Sequence, residues 1–164
     1  MPHIHELYDF TVSAFILHPT EKKLCLLLHN KLQRWLQPGG HVELDENPWQ
    51  ALEHELFEET GLDLNRCKLL LQPDMPHARG NTRLPIPFYI NEHPMGNLPS
   101  HTHIDSTYLL RSYTEELVLN PKESSSIGWL TLNQIKKHNQ DGVLFDATLD
   151  ISEWIFDRLG TSAD

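Results

Sequence analysis

Residues 10–17 (FTVSAFIL) and 23–29 (KLCLLLH) are short apolar runs separated by His18-Pro19-Thr20. Runs of that length around a proline-containing turn predict strand, turn, strand. The second run is almost continuously apolar, which suits a central strand covered on both faces. Residues 30–37 read as a polar loop leading into the Pro38-Gly39-Gly40 turn, and Trp35 within it either seals the core edge or stacks on a base. From residue 48 the period changes to that of a helix. Trp49, Leu52 and Leu56 share one flank, Asn47 is an N-cap ahead of a first-turn proline, and Gly61 is the left-handed residue expected past the end. A helix is therefore predicted over residues 48–60. Residues 67–71 (CKLLL) read as another strand. The proline-dense residues 72–99 read as loop with one embedded strand at 87–91 (PFYIN), because proline lacks a donor and fixes φ. The pattern from His101 predicts a strand continuing through residues 107–113, followed by a loop over 114–125. Thr131 caps a short helix ending at His138, and Asp146 caps a last helix over 147–159, stopped by Gly160. Leu149, Ile151, Trp154, Ile155 and Leu159 supply its buried stripe. No repeat, low-complexity segment or boundary interrupts the pattern, so residues 1–164 are read as one domain.

Two constellations carry candidate chemistry. On the helix over 48–60, Glu55, Glu58 and Glu59 fall within an arc of about 100°. Carboxylates so close destabilise a helix unless something positive joins them, and a hard divalent cation with oxygen ligands fits that need. The diglycine just upstream lets the backbone come close to a ligand. Taken alone, the same residues are also compatible with a solvated acidic face. The second constellation is His101, His103 and Asp105, whose alternation puts them on one face of a strand. Such a set is either a transition-metal pattern or a polar sheet face lining a cleft, with one histidine on a substrate phosphate.

The stretch from Gly40 to Leu62 resembles the Nudix box, G-x5-E-x7-R-E-U-x-E-E-x-G-U with U aliphatic. Gly40, Glu46, Glu55, Leu56, Glu58, Glu59, Gly61 and Leu62 match it, and the run-in from Trp35 to Glu43 is similar too. One position departs: His54 stands where the family has arginine. A histidine keeps a donor but loses the bidentate fork and permanent charge, and surrounding carboxylates favour its protonated form. The resemblance implies the Nudix-type α/β/α sandwich with a mixed β-sheet, and hydrolysis of the pyrophosphate bond of a nucleoside diphosphate linked to another moiety. It implies Mg²⁺ or Mn²⁺ held by Glu55, Glu58, Glu59 and the Gly39 carbonyl, with Glu46 and His54 orienting those ligands. The tract from Glu123 to Leu130 resembles the late family segment in which an acidic residue precedes a strand ending in Trp-aliphatic. Glu55 or Glu123 is then the base, with Glu116 after Glu123. Residues beyond the box choose the substrate in this family, so Arg79 and Arg83 become candidates for gripping it, beside His101 and His103; plain exposed charge is the other reading of the arginines.

Composition narrows the partners. With a formal net charge of −10, the 164-residue chain lacks the basic footprint of a protein that binds nucleic-acid polymers or anionic membranes. A small anionic nucleotide remains compatible where metal bridges it to carboxylates. Cys25 and Cys67 form no CxxC pattern and read as thiols of a reducing compartment. No signal peptide or membrane-length apolar stretch is evident, so the expected location is the cytoplasm, as monomer or homodimer. The His54 replacement leaves one alternative of another class: a catalytically impaired Nudix-like domain that binds or senses a nucleotide.

Overall fold

The computed structural model describes residues 8–95 and 102–159. The predicted hairpin is present as β1 (Tyr8–Leu17) and β2 (Leu24–His29). Its turn is built on His18, whose buried Nδ1 accepts the N–H groups of Thr20 and Glu21 at 3.2 and 3.0 Å. The two strands pair at Leu17↔Leu24 and then diverge. The chain itself fills the gap: β3 (Arg34–Leu36) pairs with β2, and β4 (Gly39–His41) pairs antiparallel with β1. The expectation of a loop over 30–37 ending in a glycine turn is thus corrected. Both short strands exist because β1 and β2 leave open backbone edges, not because of local propensity.

Helix α1 (Pro48–Thr60) has the expected bounds. β5 (Cys67–Leu69) ends two residues early, and Leu71 has left the strand with φ 56°. The strand expected at 87–91 is β6 (Tyr89–Pro94), shifted towards the C-terminus. β7 (Thr102–Ser112) runs parallel to β1 from Tyr8↔Thr102 to Leu17↔Arg111, and its other edge carries β5 and β6, both antiparallel. β8 (Ser124–Leu130) pairs antiparallel with β2. Helices α2 (Leu132–Gln140) and α3 (Asp146–Leu159) finish the described chain, with Asp146 inside α3 rather than capping it.

Strand alternation sorts the core into two layers. Val12, Ala14, Ile16, Tyr108 and Leu110 pack with Leu52 and Leu56 of α1 on one face. Phe15, Leu17, Leu24, Leu26 and Leu109 pack with Ile135 of α2 and Ile155 and Phe156 of α3 on the other. The result is the expected α/β/α arrangement on a mixed sheet. Leu52 and Leu56 are fully buried, and each contributes about 1.5–3 kcal/mol by leaving water. Their burial anchors the apolar flank of α1 and so aims its acidic flank. Trp35 packs against the second cluster and stacks on His138 with ring centroids 5.0 Å apart, which is the core-edge role.

On the α2/α3 face, the N-terminal ends of β1 and β7 are polar. Asp105 accepts hydrogen bonds there from the hydroxyls of Thr11 (2.9 Å), Ser13 (2.7 Å) and Thr107 (2.7 Å).

Candidate active site

The acidic flank of α1 is held at both ends by local chemistry. Asn47 Oδ1 accepts the N–H groups of Trp49 and Gln50 at 3.0 and 3.1 Å, and Gln50 Oε1 accepts the Asn47 N–H at 3.0 Å. At the other end Gly61 is left-handed, with φ 71°, and donates its N–H to the Phe57 carbonyl at 3.0 Å. These caps fix the rotation at which Glu55, Glu58 and Glu59 leave the helix.

The diglycine strand β4 meets that flank directly. Glu59 is 3% exposed and its Oε2 accepts the Gly39 N–H at 2.8 Å. Glu55 lies against Gly40 so closely that a Cβ there would run into its carboxylate. Glu46 reaches the same place: Oε1 accepts the Glu43 N–H at 2.8 Å, and Oε2 lies 2.9 Å from His54 Nδ1. The other ring nitrogen of His54 is 3.4 Å from Glu55 Oε1. His54 therefore lies between two of the box carboxylates, at the position where the resemblance expects an arginine.

Electrostatics shows how crowded the cluster is. Burial pushes Glu59 up to about 8, against the opposing Gly39 N–H, with Glu55, Glu123 and Glu58 adding to the rise. Burial likewise pushes Glu55 up to about 7; the His54 charge opposes it, while Glu123, Glu58 and Glu46 reinforce it. For His54, burial alone would lower the pKa, but the Glu46 hydrogen bond and the charges of Glu55, Glu46 and Glu58 outweigh it and the pKa is raised. Glu59 is buried, Glu55 half-buried and Glu58 exposed, and carboxylates that repel one another in this way suit a hard dication with oxygen ligands. Glu55, Glu58 and Glu59 have the oxygen-donor chemistry that suits the magnesium or manganese the box implies.

Glu123 stands at the start of β8, where Asn30 donates its N–H to the Glu123 carbonyl at 2.8 Å and carries that end beside β2. Glu116 is exposed, with its N–H donated to Thr114 Oγ1 at 3.2 Å. Arg79 and Arg83 lie on the exposed segment between β5 and β6. That segment is closed by Gln72, whose amide bonds the Ile86 N–H at 2.9 Å and carbonyl at 2.8 Å, and Arg83 donates to the Met75 carbonyl at 2.9 Å within it. His101 lies outside the described residues. Of the other two members of the expected trio, Asp105 accepts hydrogen bonds from three hydroxyls. His103, 6% exposed, instead meets Asp9 and His41. Sequence reasoning missed Asp9 altogether and quoted His41 only as part of the box run-in. Their one signal is strand register, which no local pattern carries.

The NUDIX domain model matches residues 7–148. Over 111 residues the chain is 34% identical to "Probable DHNTP pyrophosphohydrolase" of Lactococcus lactis subsp. cremoris, covering 68% of this chain and 60% of that protein. It is 31% identical over 137 residues to the m7GpppN-mRNA hydrolase NUDT17 of Danio rerio, covering 75% of this chain and 42% of that protein. The chain therefore spans less than two thirds of the length of either curated relative. Among solved structures, a NUDIX-family hydrolase from Clostridium perfringens superposes with a TM-score of 0.71 at 27% identity, covering 92% of this chain and 97% of that one.

Proposed function

The chain belongs to the Nudix family, and from that premise we propose that it is a metal-dependent pyrophosphohydrolase of small nucleotide-type substrates, working as a single domain. The observation that carries this reading is the carboxylate pair on the diglycine strand, buried Glu59 on the Gly39 N–H and half-buried Glu55 against Gly40, both with raised pKa. Glu55, Glu58, Glu59 and the Gly39 carbonyl would hold Mg²⁺ or Mn²⁺. When bound, such an ion neutralises phosphate oxygens and acidifies the attacking water. Glu55 or Glu123 would take the proton from that water. Glu46 and His54 keep Glu55 aimed. Arg79, Arg83 and His101 contact the rest of the substrate, whereas His103 lies on the sheet face turned away from the box carboxylates.

The net charge of −10 favours a small substrate over an RNA polymer. Cys25 is buried and free, and its thiol is pushed up by burial, Cys67 is free as well, and the described residues hold no helix long and apolar enough to cross a membrane. We assign the protein to the cytoplasm on the thiols, as a monomer or homodimer.

The test is product release from a panel of nucleotide diphosphates, dinucleoside polyphosphates, pterin and nucleoside triphosphates and cap analogues with Mg²⁺ or Mn²⁺, read by mass spectrometry. At least one substrate is expected to be cleaved at a pyrophosphate bond, with Glu59→Gln lowering kcat/KM by about 100-fold or more. Tight nucleotide binding with no cleavage across the panel would instead support the sensing domain.

A further inference from the structure

On the face of β4 turned away from Glu55, three side chains converge that the box chemistry leaves unused. Asp9 and His103 are cross-strand neighbours in the parallel β1–β7 pairing, 5% and 6% exposed. His41 directly follows the diglycine and stands opposite Thr11, while Gly40 stands opposite Val12, a residue of the α1 face. Alternation therefore sends His41 to the opposite side from the carboxylates. One ligand atom from each of Asp9, His41 and His103 lies within 4.8 Å of the others, and His41 Nε2 is 3.7 Å from Asp9 Oδ2. The His41 and His103 rings meet edge to face with centroids 4.9 Å apart.

We propose that Asp9, His41 and His103 form a second metal site, for a borderline transition-metal dication with zinc foremost. Two imidazoles and one carboxylate are a donor set for zinc, iron or cobalt, whereas magnesium and calcium prefer oxygen alone. The 3.7 Å between His41 and Asp9 is close to the about 3.4 Å that separates two ligands at tetrahedral positions around zinc. The His41 side chain is 45% exposed, which gives an ion a way in to its buried partners. Three protein ligands leave at least one coordination position for solvent or an anion. His93, opposite His103 in the β6–β7 register, brings a further imidazole to the rim, with ring centroids 5.4 Å apart. An ion here ties β1, β4 and β7 together behind the strand on which Glu55 and Glu59 rest. The site stands whether or not the box carboxylates hydrolyse anything.

Cobalt is the probe, because its visible bands report coordination and zinc can displace it. The whole chain, stripped of metal and then held in excess Mg²⁺ to satisfy the carboxylates, is titrated with Co²⁺. One Co²⁺ per chain is expected, with the bands of a four- or five-coordinate nitrogen-containing site that Zn²⁺ abolishes. His41→Gln and His103→Gln should each weaken binding about tenfold or more, and Glu59→Gln should leave it unchanged. His41 is exposed enough for its variant to fold, so a failure of the His103 variant to fold leaves the test intact. Absence of Co²⁺ and Zn²⁺ uptake under excess Mg²⁺ would overturn the proposal. So would uptake that disappears with Glu59→Gln and survives His41→Gln.

Discussion

His54 carries the clearest exchange of one side chain for another. With one nitrogen at 2.9 Å from Glu46 and the other at 3.4 Å from Glu55, it spans the carboxylates much as a guanidinium would, but only when protonated does it offer a donor to both. His54→Ala is expected to lower kcat/KM by roughly 10–100-fold and His54→Arg to retain activity; equal loss in both variants, measured on the substrate found by the panel, would remove the bridging role. Gly40 makes a second test. Its Cβ would run into the Glu55 carboxylate, so Gly40→Ala should displace that side chain, costing about 1–3 kcal/mol of stability together with most of the Mg²⁺ affinity. Wild-type Mg²⁺ affinity in that variant, read by calorimetry, would contradict the close approach. The box residues were legible because their spacing is local to one turn-and-helix stretch. Asp9 was not, since its partners His41 and His103 come from strands far along the chain.

Helix α1 was readable to its last residue because caps and period all lie within it. Asn47→Ala should therefore cost about 1 kcal/mol, seen as a lower denaturation midpoint with an unchanged slope; no shift would show that packing of Leu52 and Leu56 alone holds the helix. β3 and β4 were not readable. Each has three residues, too few for any periodicity, and β4 contains two glycines, which weaken a strand interior. What forms them is the divergence of β1 from β2, a tertiary fact. β5 and β6 were seen as strands but misplaced, because the positive φ of Leu71 and the register on β7 decide where they stop and start.

In the molecule as a whole, the sheet separates two chemistries, box carboxylates towards α1 and the Asp9–His41–His103 group towards the opposite face. The fold class was accessible through the resemblance of the Gly40–Leu62 stretch, whereas the parallel β1–β7 pairing joins residues 94 apart and no sequence pattern announces it. A global pH dependence follows from the buried cluster. Glu55 and Glu59 bind protons in the folded state up to about 7 and about 8, well above their ordinary 4.5. Between those limits the folded chain holds protons that the unfolded chain has released, so their contribution is complete below about 4.5 and is lost as pH rises through 7 to 8. The raised pKa of His54 acts in the same direction. Metal-free protein should lose thermal stability from about pH 5 to about pH 8.5, and a Glu59→Gln variant should lose less.

The most direct measurement is the unfolding free energy of metal-free protein at a pH above 8, with and without Mg²⁺. If the acidic flank of α1 exists to hold a dication, Mg²⁺ at about 100 times its dissociation constant adds about 2.7 kcal/mol to wild type, and nearly nothing to a Glu58→Gln, Glu59→Gln double variant. Identical stability of wild type with and without Mg²⁺, or equal stabilisation of the double variant, would contradict it.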